Sequence, residues 1–459
     1  MDVKGKRVLV VGLGKSGVAS ALFLASCGAR VTVSDAKSEE QLRDEIPALL
    51  DRGITVETGK HGERTFRDQD LIVVSPGVPS DVGPLQQARR LGIPIIGEIE
   101  LTARFLQGHV VAITGSNGKT TTTTLTGEII ASGGRKTLVG GNIGTPAVTF
   151  VEQSSADTWV VLEISSFQLE SIESFHPQIA AILNITPDHL DRHGSMENYI
   201  AAKARIFENQ GPEDYAVLNA DSEICRQLAA GLKPQVLWFS RQHEVERGAF
   251  VRGGAILHRD GHETEIMPVS EIALKGAHNV ENVLAAVAIG MAAGVEPAAI
   301  RRAVKDFRAV EHRLEYVATL RGVEYYNDSK ATNVDATIKA LESFPGNIHL
   351  ILGGKDKGSD YSELQPLIEA RVKRVYTVGA AATKIEEQLG GRVPVVSAQT
   401  LDSAVLKAAD FAAEGDIVLL APACASFDQF SSYEHRGRVF KELVHSLAAL
   451  QAASPSGGR

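Results

Sequence analysis

The sequence predicts an α/β fold in three domains: a Rossmann-like N-terminal domain, a central P-loop-type ATPase domain with a mainly parallel sheet, and a Rossmann-like C-terminal domain. Three observations carry that expectation. Short Val/Ile/Leu-rich runs alternate with longer helical patterns along the chain, the signature of βαβ units. Two glycine-rich loops, "GLGKSG" and "TGSNGKTT", each follow such a run and open a helix, where N–H groups and the helix dipole favour phosphate. The length of 459 residues also suits about three domains. The pattern divides at 1–97, 98–309 and 310–459.

The first stretch opens with strand "RVLVVGLG", continues through helix "GVASALFLASCG" to strand "RVTVSD", and adds strand "DLIVVSPGVP" before "GIPIIGEIE" leads out. Gly12, Gly14 and Gly17 form G-x-G-x-x-G after the first strand, and Asp35 closes the next one. Such glycines let a backbone approach a diphosphate, the helix start stabilises its charge, and the acid accepts hydrogen bonds from a sugar or base. A diphosphate-containing ligand of any kind fits this pattern. A purely structural turn fits it too, because the fingerprint alone recurs widely.

The second stretch begins with strand "HVVAITG" and the loop "TGSNGKTT", a shortened relative of the phosphate-binding P-loop. Backbone N–H groups of Gly115, Ser116, Asn117 and Gly118 would cradle phosphates, Lys119 would reach β/γ oxygens, and Thr120 would ligate Mg²⁺. The run Thr120–Thr124 is otherwise odd, since threonine costs about half a kcal/mol per helical position relative to alanine. Thr120 and Thr121 are assigned to nucleotide and metal oxygens, Thr122 to Thr124 to packing. Leu125, Ile129 and Ile130 share a face before "SGG" ends the helix.

Glu163, in "TWVVLEISS", and His189, in "IAAILNITPDHLDRH", each sit at or just beyond the carboxyl end of an apolar strand, the edge where α/β sheets collect ligands. A carboxylate there suits the Mg²⁺ of ATP, and an imidazole suits a second cation or an attacking group. Asp191 and His193 are taken as solvent-facing or structural. Lys203 lies in "YIAAKARIF", among apolar and small residues. It is either paired or modified in the interior, or it snorkels to the surface, and the sequence leaves both open. The segment "GAHNVENVLAAVAIGMAAG" reads as an apolar helix ended by glycine.

The third stretch supplies strands "NIHLILGG", "RVYTVG" and "DIVLLAP", with helices between. Ahead of them stand "EHRLE", with His312 and Arg313, and "YNDSKATN", with Asp328, Lys330 and Thr332. An arginine suits a transferred phosphoryl group, and a lysine suits further phosphate or carboxylate charge. "GGKDKGSD", with Lys355 and Lys357, and "ACASFDQFSSYEHRG" read as binding loops at strand ends. The final "AASPSGGR" reads as a frayed tail.

Composition limits the function. Hydrophobic content of 44% with 22% charged residues is that of a globular chain. A net charge of -9 argues against a broad nucleic-acid footprint and leaves small polyanions as ligands. The scattered Cys27, Cys225 and Cys424 form neither a disulfide framework nor a zinc spacing. The N-terminus lacks the pattern of a secretory signal, and no segment approaches a membrane span, so a cytoplasmic protein is expected.

In this order, "TGSNGKTT", "LEISSFQLE", "NITPDHLDRH", "AAKARIF", "GAHNVENVLAA", "EHRLE", "NDSKATN" and "ACASFDQF" resemble the Mur ligases over nearly the whole chain. "NDSKATN" and "ACASFDQF" are similar to the D-glutamate-adding branch. The resemblance implies an ATP-dependent ligase that adds D-glutamate to UDP-N-acetylmuramoyl-L-alanine through an acyl phosphate, in peptidoglycan precursor synthesis; a monomer is expected, although the sequence does not give the oligomeric state. It implies a UDP-sugar site at Gly14, Lys15, Ser16, Gly17, Asp35 and Gly77, although Ala36 and Lys37 stand where relatives often place larger hydrogen-bonding residues. Lys119 and Thr120 match its phosphate and magnesium residues, and Asn142 resembles a phosphate contact. Asn279 and Asn282 resemble adenine contacts, Asp328 a ribose contact, and Arg313 and Lys330 phosphate contacts. Two Mg²⁺ are implied, with Thr120, Glu163, His189 and an N-carboxylated Lys203 as ligands. Thr332, Lys357, Ser426 and Tyr433 match positions that hold D-glutamate, Tyr433 through its backbone.

A nicotinamide oxidoreductase would explain only the first loop, and a folate polyglutamylating ligase would explain only the central ATPase.

Overall fold

The structure, a computed structural model, describes residues 1–79, 81–308 and 311–453. The chain packs as two compact units, Met1–Ile185 with Ser195–Val269 and Asn282–Val304, and Thr186–Gly194 with Ser270–Glu281 and Lys305–Arg459. Two sheets lie in the first unit and one in the second.

In the N-terminal sheet five strands run parallel in the order Thr55–Glu57, Arg30–Ser34, Arg7–Val11, Leu71–Val74, Ile95–Gly97. Arg7–Val11 is buried after its first residue, as a central parallel strand covered on both faces must be. Strand order reverses beside it, so the glycine loop that follows lies at the switch point of the sheet. A Cβ at Gly17 would lie 1.8 Å from the Gly12 carbonyl oxygen, so only glycine lets helix Lys15–Ser26 seat against the loop. Thr55–Glu57 and the helices Ile46–Leu50, Glu63–Arg67 and Gly83–Arg90 escaped the pattern because each is too short to show a period.

The central sheet has nine strands. Seven run parallel in the order Thr137–Gly141, Trp159–Glu163, His109–Thr114, Ile179–Ile182, Tyr215–Asn219, Gln235–Ser240, Gly248–Arg252. Strand order again reverses at His109–Thr114, which feeds the second glycine loop. Ala255–Asp260 and His262–Pro268 extend the sheet antiparallel. The Gly253-Gly254 pair, at φ 59° and 78°, makes the first of these turns and was its legible signal. Helix Lys119–Ser132 is buried on most sides, Thr120 to Thr123 included, so its β-branched run fills core volume.

The two sheets of this unit share packing. Val148 joins the N-terminal core. The buried Glu100 carboxylate accepts backbone N–H groups from Glu173, Ser174 and Phe175 at 2.8, 2.8 and 3.1 Å. Arg104 Nε donates to it at 2.8 Å, and these bonds hold its carboxyl below the usual carboxylate range despite burial.

In the second unit Glu315–Leu320 runs antiparallel to Val323–Asn327, which is followed in parallel by Ile417–Leu420, Ile348–Gly353, Val372–Val378 and Val395–Gln399. Helix Tyr433–Ala453 takes in Ala452 and Ala453 of the expected tail. Residues 454–459 and the expected junction at 309–310 lie outside the described residues. Among the described residues, no helix is long and apolar enough to cross a membrane, and Cys27, Cys225 and Cys424 are not in disulfides.

Candidate active site

In the first loop, the Asp35 carboxylate accepts the Leu13 N–H at 2.6 Å and the Lys37 N–H at 2.8 Å. Ser75 Oγ donates to the Gly12 carbonyl at 3.0 Å. Asp35 therefore shapes the loop as well as standing beside it. Gly14, Lys15 and Gly77 are exposed and Ser16 is half-buried. A Cβ at Gly14 or Gly77 would meet open space, so the backbone at both positions is accessible to a ligand.

The second loop is built around its glycines. Gly115 has φ 154° and Gly118 φ 84°. A Cβ at Gly118 would lie 2.2 Å from Asn282 Oδ1, so the apolar helix's asparagine packs directly against the loop. Lys119 Nζ curls back to the carbonyls of Gly115 and Ser116 at 2.9 and 2.8 Å. Asn117 N–H donates to Asn184 Oδ1 at 2.9 Å, and Ser116 Oγ lies 3.1 Å from the Tyr199 hydroxyl.

Glu163 ends its strand inside this group. Thr120 Oγ1 donates to one carboxylate oxygen and Asn142 Nδ2 to the other, each at 2.8 Å. The Thr121 hydroxyl is buried without a partner among the described residues, which leaves its N–H, in the first helical turn, as the group able to face phosphate. Lys203 is 1% exposed. Its ammonium donates to the Gly115 carbonyl at 2.9 Å and lies 4.6 Å from the centre of the Tyr199 ring. Snorkelling is thereby ruled out. The fold thus gathers Lys119, Thr120, Asn142, Glu163, Lys203 and Asn282 around one loop.

In the second unit, His189 has φ 53° and starts the helical turn Leu190–His193. His193 is buried, and the Asp191 side chain lies outside the described residues. Asp188 accepts the Lys357 ammonium and the Asn333 amide, each at 3.2 Å. Asn279 Nδ2 donates to the Lys275 carbonyl at 2.6 Å. Burial pushes the Asp328 carboxyl up to about 6, opposed by the cations of Arg313 and Lys330. Asp328 Oδ1 and Arg313 Nε are buried without partners among the described residues. Burial, with the nearby Arg313 and Lys339, pushes His278 down to about 3 and keeps its ring neutral.

Two strand-end loops of this unit are clipped together. Lys355 and Ala425 exchange backbone hydrogen bonds at 2.8 and 3.1 Å, which sets Ser426 beside the loop of Lys357. Ser329 Oγ donates to the Tyr433 carbonyl at 2.8 Å, and Lys330 Nζ lies 5.2 Å from the Tyr433 ring centre. Arg436, which the sequence did not single out, is 2% exposed. It donates to the Ser329 hydroxyl and carbonyl at 2.9 and 2.8 Å and to the Cys424 carbonyl at 3.2 Å. Burial pushes it down to about 10, so it stays charged at neutral pH. Its partners are mostly carbonyls, and nothing in residue type or spacing marks them.

Asp328 has a consequence for stability. An acid whose folded pKa lies above its unfolded one binds its proton more tightly when folded. Its contribution is full below the unfolded pKa and is lost as pH rises through the folded one. From 3.8 to about 6, the loss is about 3 kcal/mol. Asp328→Asn is expected to remove this fall, so denaturant titrations of the two proteins should diverge between about pH 4 and 6. Parallel curves would show that the carboxyl is not perturbed.

Two phosphate-type loops at sheet switch points, one carrying the Lys-Thr pair with a carboxylate, define a nucleotide-using α/β protein. The family model described as Mur ligase middle domain matches residues 113–290, that of the Mur ligase MurD-like N-terminal domain 6–97, and that of the Mur ligase glutamate ligase domain 312–424. The chain is 70% identical over 449 residues to the UDP-N-acetylmuramoylalanine–D-glutamate ligase of Koribacter versatilis, covering 98% of this chain and 99% of that one. It is 61% identical to the ligase of the same name from Acidobacterium capsulatum, covering 99% and 100%. Among solved structures it is similar in fold to a UDP-N-acetylmuramate–alanine ligase from Thermotoga maritima, with TM-score 0.61, 20% identity and coverage of 96% and 100%. A pseudomurein peptide ligase from Methanothermus fervidus aligns with TM-score 0.62, 19% identity and the same coverage. The chain belongs to the Mur ligase family, whose members are ATP-dependent ligases.

Proposed function

We propose that this chain joins D-glutamate to the L-alanyl carboxylate of UDP-N-acetylmuramoyl-L-alanine, converting ATP to ADP and phosphate, in peptidoglycan precursor synthesis. The relatives' names support the substrates. The observation that carries the chemistry is the Lys119, Thr120, Glu163 group at a sheet switch point. The domains are 1–97 for the UDP-sugar, 98–309 for ATP and 310–459 for the amino acid, a division supported by the ranges of the three family models. The protein works as a cytoplasmic monomer.

In this reading Gly14, Lys15, Ser16, Gly17, Asp35 and Gly77 hold the UDP-sugar. Gly115, Ser116, Asn117, Gly118, Lys119, Thr120, Thr121 and Asn142 hold the phosphates of ATP, and Asn279 and Asn282 hold its adenine. Asp328 takes the ribose, where its unfilled buried oxygen accepts a hydroxyl, and Arg313 and Lys330 take phosphate. Thr332, Lys357, Ser426 and Tyr433 hold D-glutamate.

The Thr120 hydroxyl and Glu163 carboxylate are adjacent hard oxygen donors, the set that Mg²⁺ takes. For a second ion we assign His189 and Lys203 as ligands, the lysine as its N-carboxylate. The interior position of Lys203 fits that modification, because a buried ammonium is disfavoured by desolvation. When bound, Mg²⁺ supplies positive charge against the phosphate oxygens.

The reaction brings two anions together. The substrate carboxylate attacks the γ-phosphorus, giving an acyl phosphate and ADP. The amine of D-glutamate then attacks the acyl carbon and phosphate leaves. Lys119 leaves its own loop carbonyls for the β/γ oxygens, and N–H groups at the start of helix Lys119–Ser132 face the phosphates. Arg313 offers its unfilled Nε–H to developing phosphoryl charge. The test is ADP release, which should require both UDP-N-acetylmuramoyl-L-alanine and D-glutamate. Equal release with L-glutamate or meso-diaminopimelate, or release that ignores the amino acid, would overturn the assignment.

A further inference from the structure

The residues assigned to D-glutamate leave one of its charges unanswered. The amino acid arrives with two carboxylates and one ammonium. Thr332, Lys357, Ser426 and Tyr433 supply a cation, hydroxyls and backbone, and none of them is an anion. A charged group brought into a partly desolvated site without a counter-charge is costly. A carboxylate that the fold sets against Lys357 is Asp188.

Its placement is built. One oxygen accepts the Lys357 ammonium at 3.2 Å and the other accepts the Asn333 amide at 3.2 Å. Asn333 follows Thr332 directly and caps helix Val334–Glu342, its Oδ1 accepting the Ala336 N–H at 2.8 Å. That cap directs the other end of the amide toward Asp188. The His189 N–H closes back on Asp188 at 3.0 Å, and Thr186 Oγ1 donates to Asp335 at 3.3 Å, so the segment is tied to the same helix at two points. The Asp188 side chain is 12% exposed and that of Lys357 22%, which leaves the pair reachable and weakly screened.

We infer that Asp188 is the ammonium-binding residue for the incoming amino acid, an inference that rests on the placing of D-glutamate given above. The Asp188–Lys357 ion pair holds both charges ready. On binding it exchanges for two pairs, Lys357 with a substrate carboxylate and Asp188 with the substrate ammonium. Each buried charge keeps a partner throughout, so neither group is stranded. Selectivity follows, because a dicarboxylate without an amine must leave Asp188 facing added negative charge.

Glutarate, the same dicarboxylate without the amine, separates this role from a purely structural one. In Asp188→Asn, and in parallel Asp188→Ser, the KM for D-glutamate is expected to rise at least about tenfold, while inhibition by glutarate is unchanged or stronger because Lys357 loses its internal competitor. A parallel weakening of D-glutamate and glutarate would mean that Asp188 only orders Lys357 and would overturn the proposal, as would an unchanged D-glutamate KM. Lys357→Ala tests the underlying reading separately. Loss of both D-glutamate and glutarate binding there upholds the amino-acid site, and loss of neither removes it irrespective of Asp188.

Discussion

Lys119→Ala is expected to lower ADP release by about a thousandfold or more while the protein unfolds at the wild-type temperature, because charge neutralisation at transferring phosphoryl groups is worth effects of that order. The ammonium bonds the carbonyls of Gly115 and Ser116, groups of its own loop, at 2.9 and 2.8 Å. Gly115 and Ser116 are buried, and the Gly115 carbonyl keeps the Lys203 ammonium as a donor at 2.9 Å when Lys119 is absent. The loop itself is held by other means. Asn282 packs against Gly118, the Asn117 N–H bonds Asn184, and Thr120 bonds Glu163. Single-turnover ADP formation measured beside thermal unfolding separates the two effects. Normal turnover would refute the placement of ATP, and a collapse in melting temperature would refute the claim that the loop stands without its lysine.

The second large effect concerns stability. Arg436→Met is expected to lower the unfolding free energy by about 3–5 kcal/mol and to raise the KM for the amino acid. Methionine restores much of the volume, so little of this is a cavity. The loss arises because the Cys424 and Ser329 carbonyls, bonded at 3.2 and 2.8 Å, are left without donors in a buried setting. Replacing a buried ion pair with apolar residues is often harmless, but here both partners do not leave together. Ser426 lies next to this clip through Ala425, so the amino-acid loop loosens with it. Arg436→Lys should recover only part of the loss, since a point-like ammonium cannot span both carbonyls. Denaturant unfolding of the three proteins checks the order, and equal midpoints would show that the loops hold themselves.

Much of the candidate site was legible before the structure. The strands ending at Val11, Thr114, Glu163 and Gly353 are apolar runs with glycine or polar punctuation, and the residues beyond them were the ones to examine. Parallel strands covered on both faces must be continuously apolar, so their ends are where chemistry-bearing side chains appear. The antiparallel strands Ala255–Asp260 and His262–Pro268 were passed over, although Gly253-Gly254 marked the first turn. Lys203 could be read only as a choice between interior and surface. Its helix shows which face is apolar and does not show what covers that face.

The amino-acid sequence by itself determined the fold class, the two phosphate-type loops and the candidate residues at the strand ends. Each rests on local rules, in which glycine dihedrals, apolar period and helix-start N–H groups act within a few tens of residues. Only the tertiary structure decided that Lys203 is interior, that Asp188 meets Lys357 across 169 positions, and that Arg436 reaches Ser329 across 107. The physical reason is that burial and charge pairing depend on which distant segments the sheets bring to one edge. Side chains so far apart leave no periodic trace of one another along the chain.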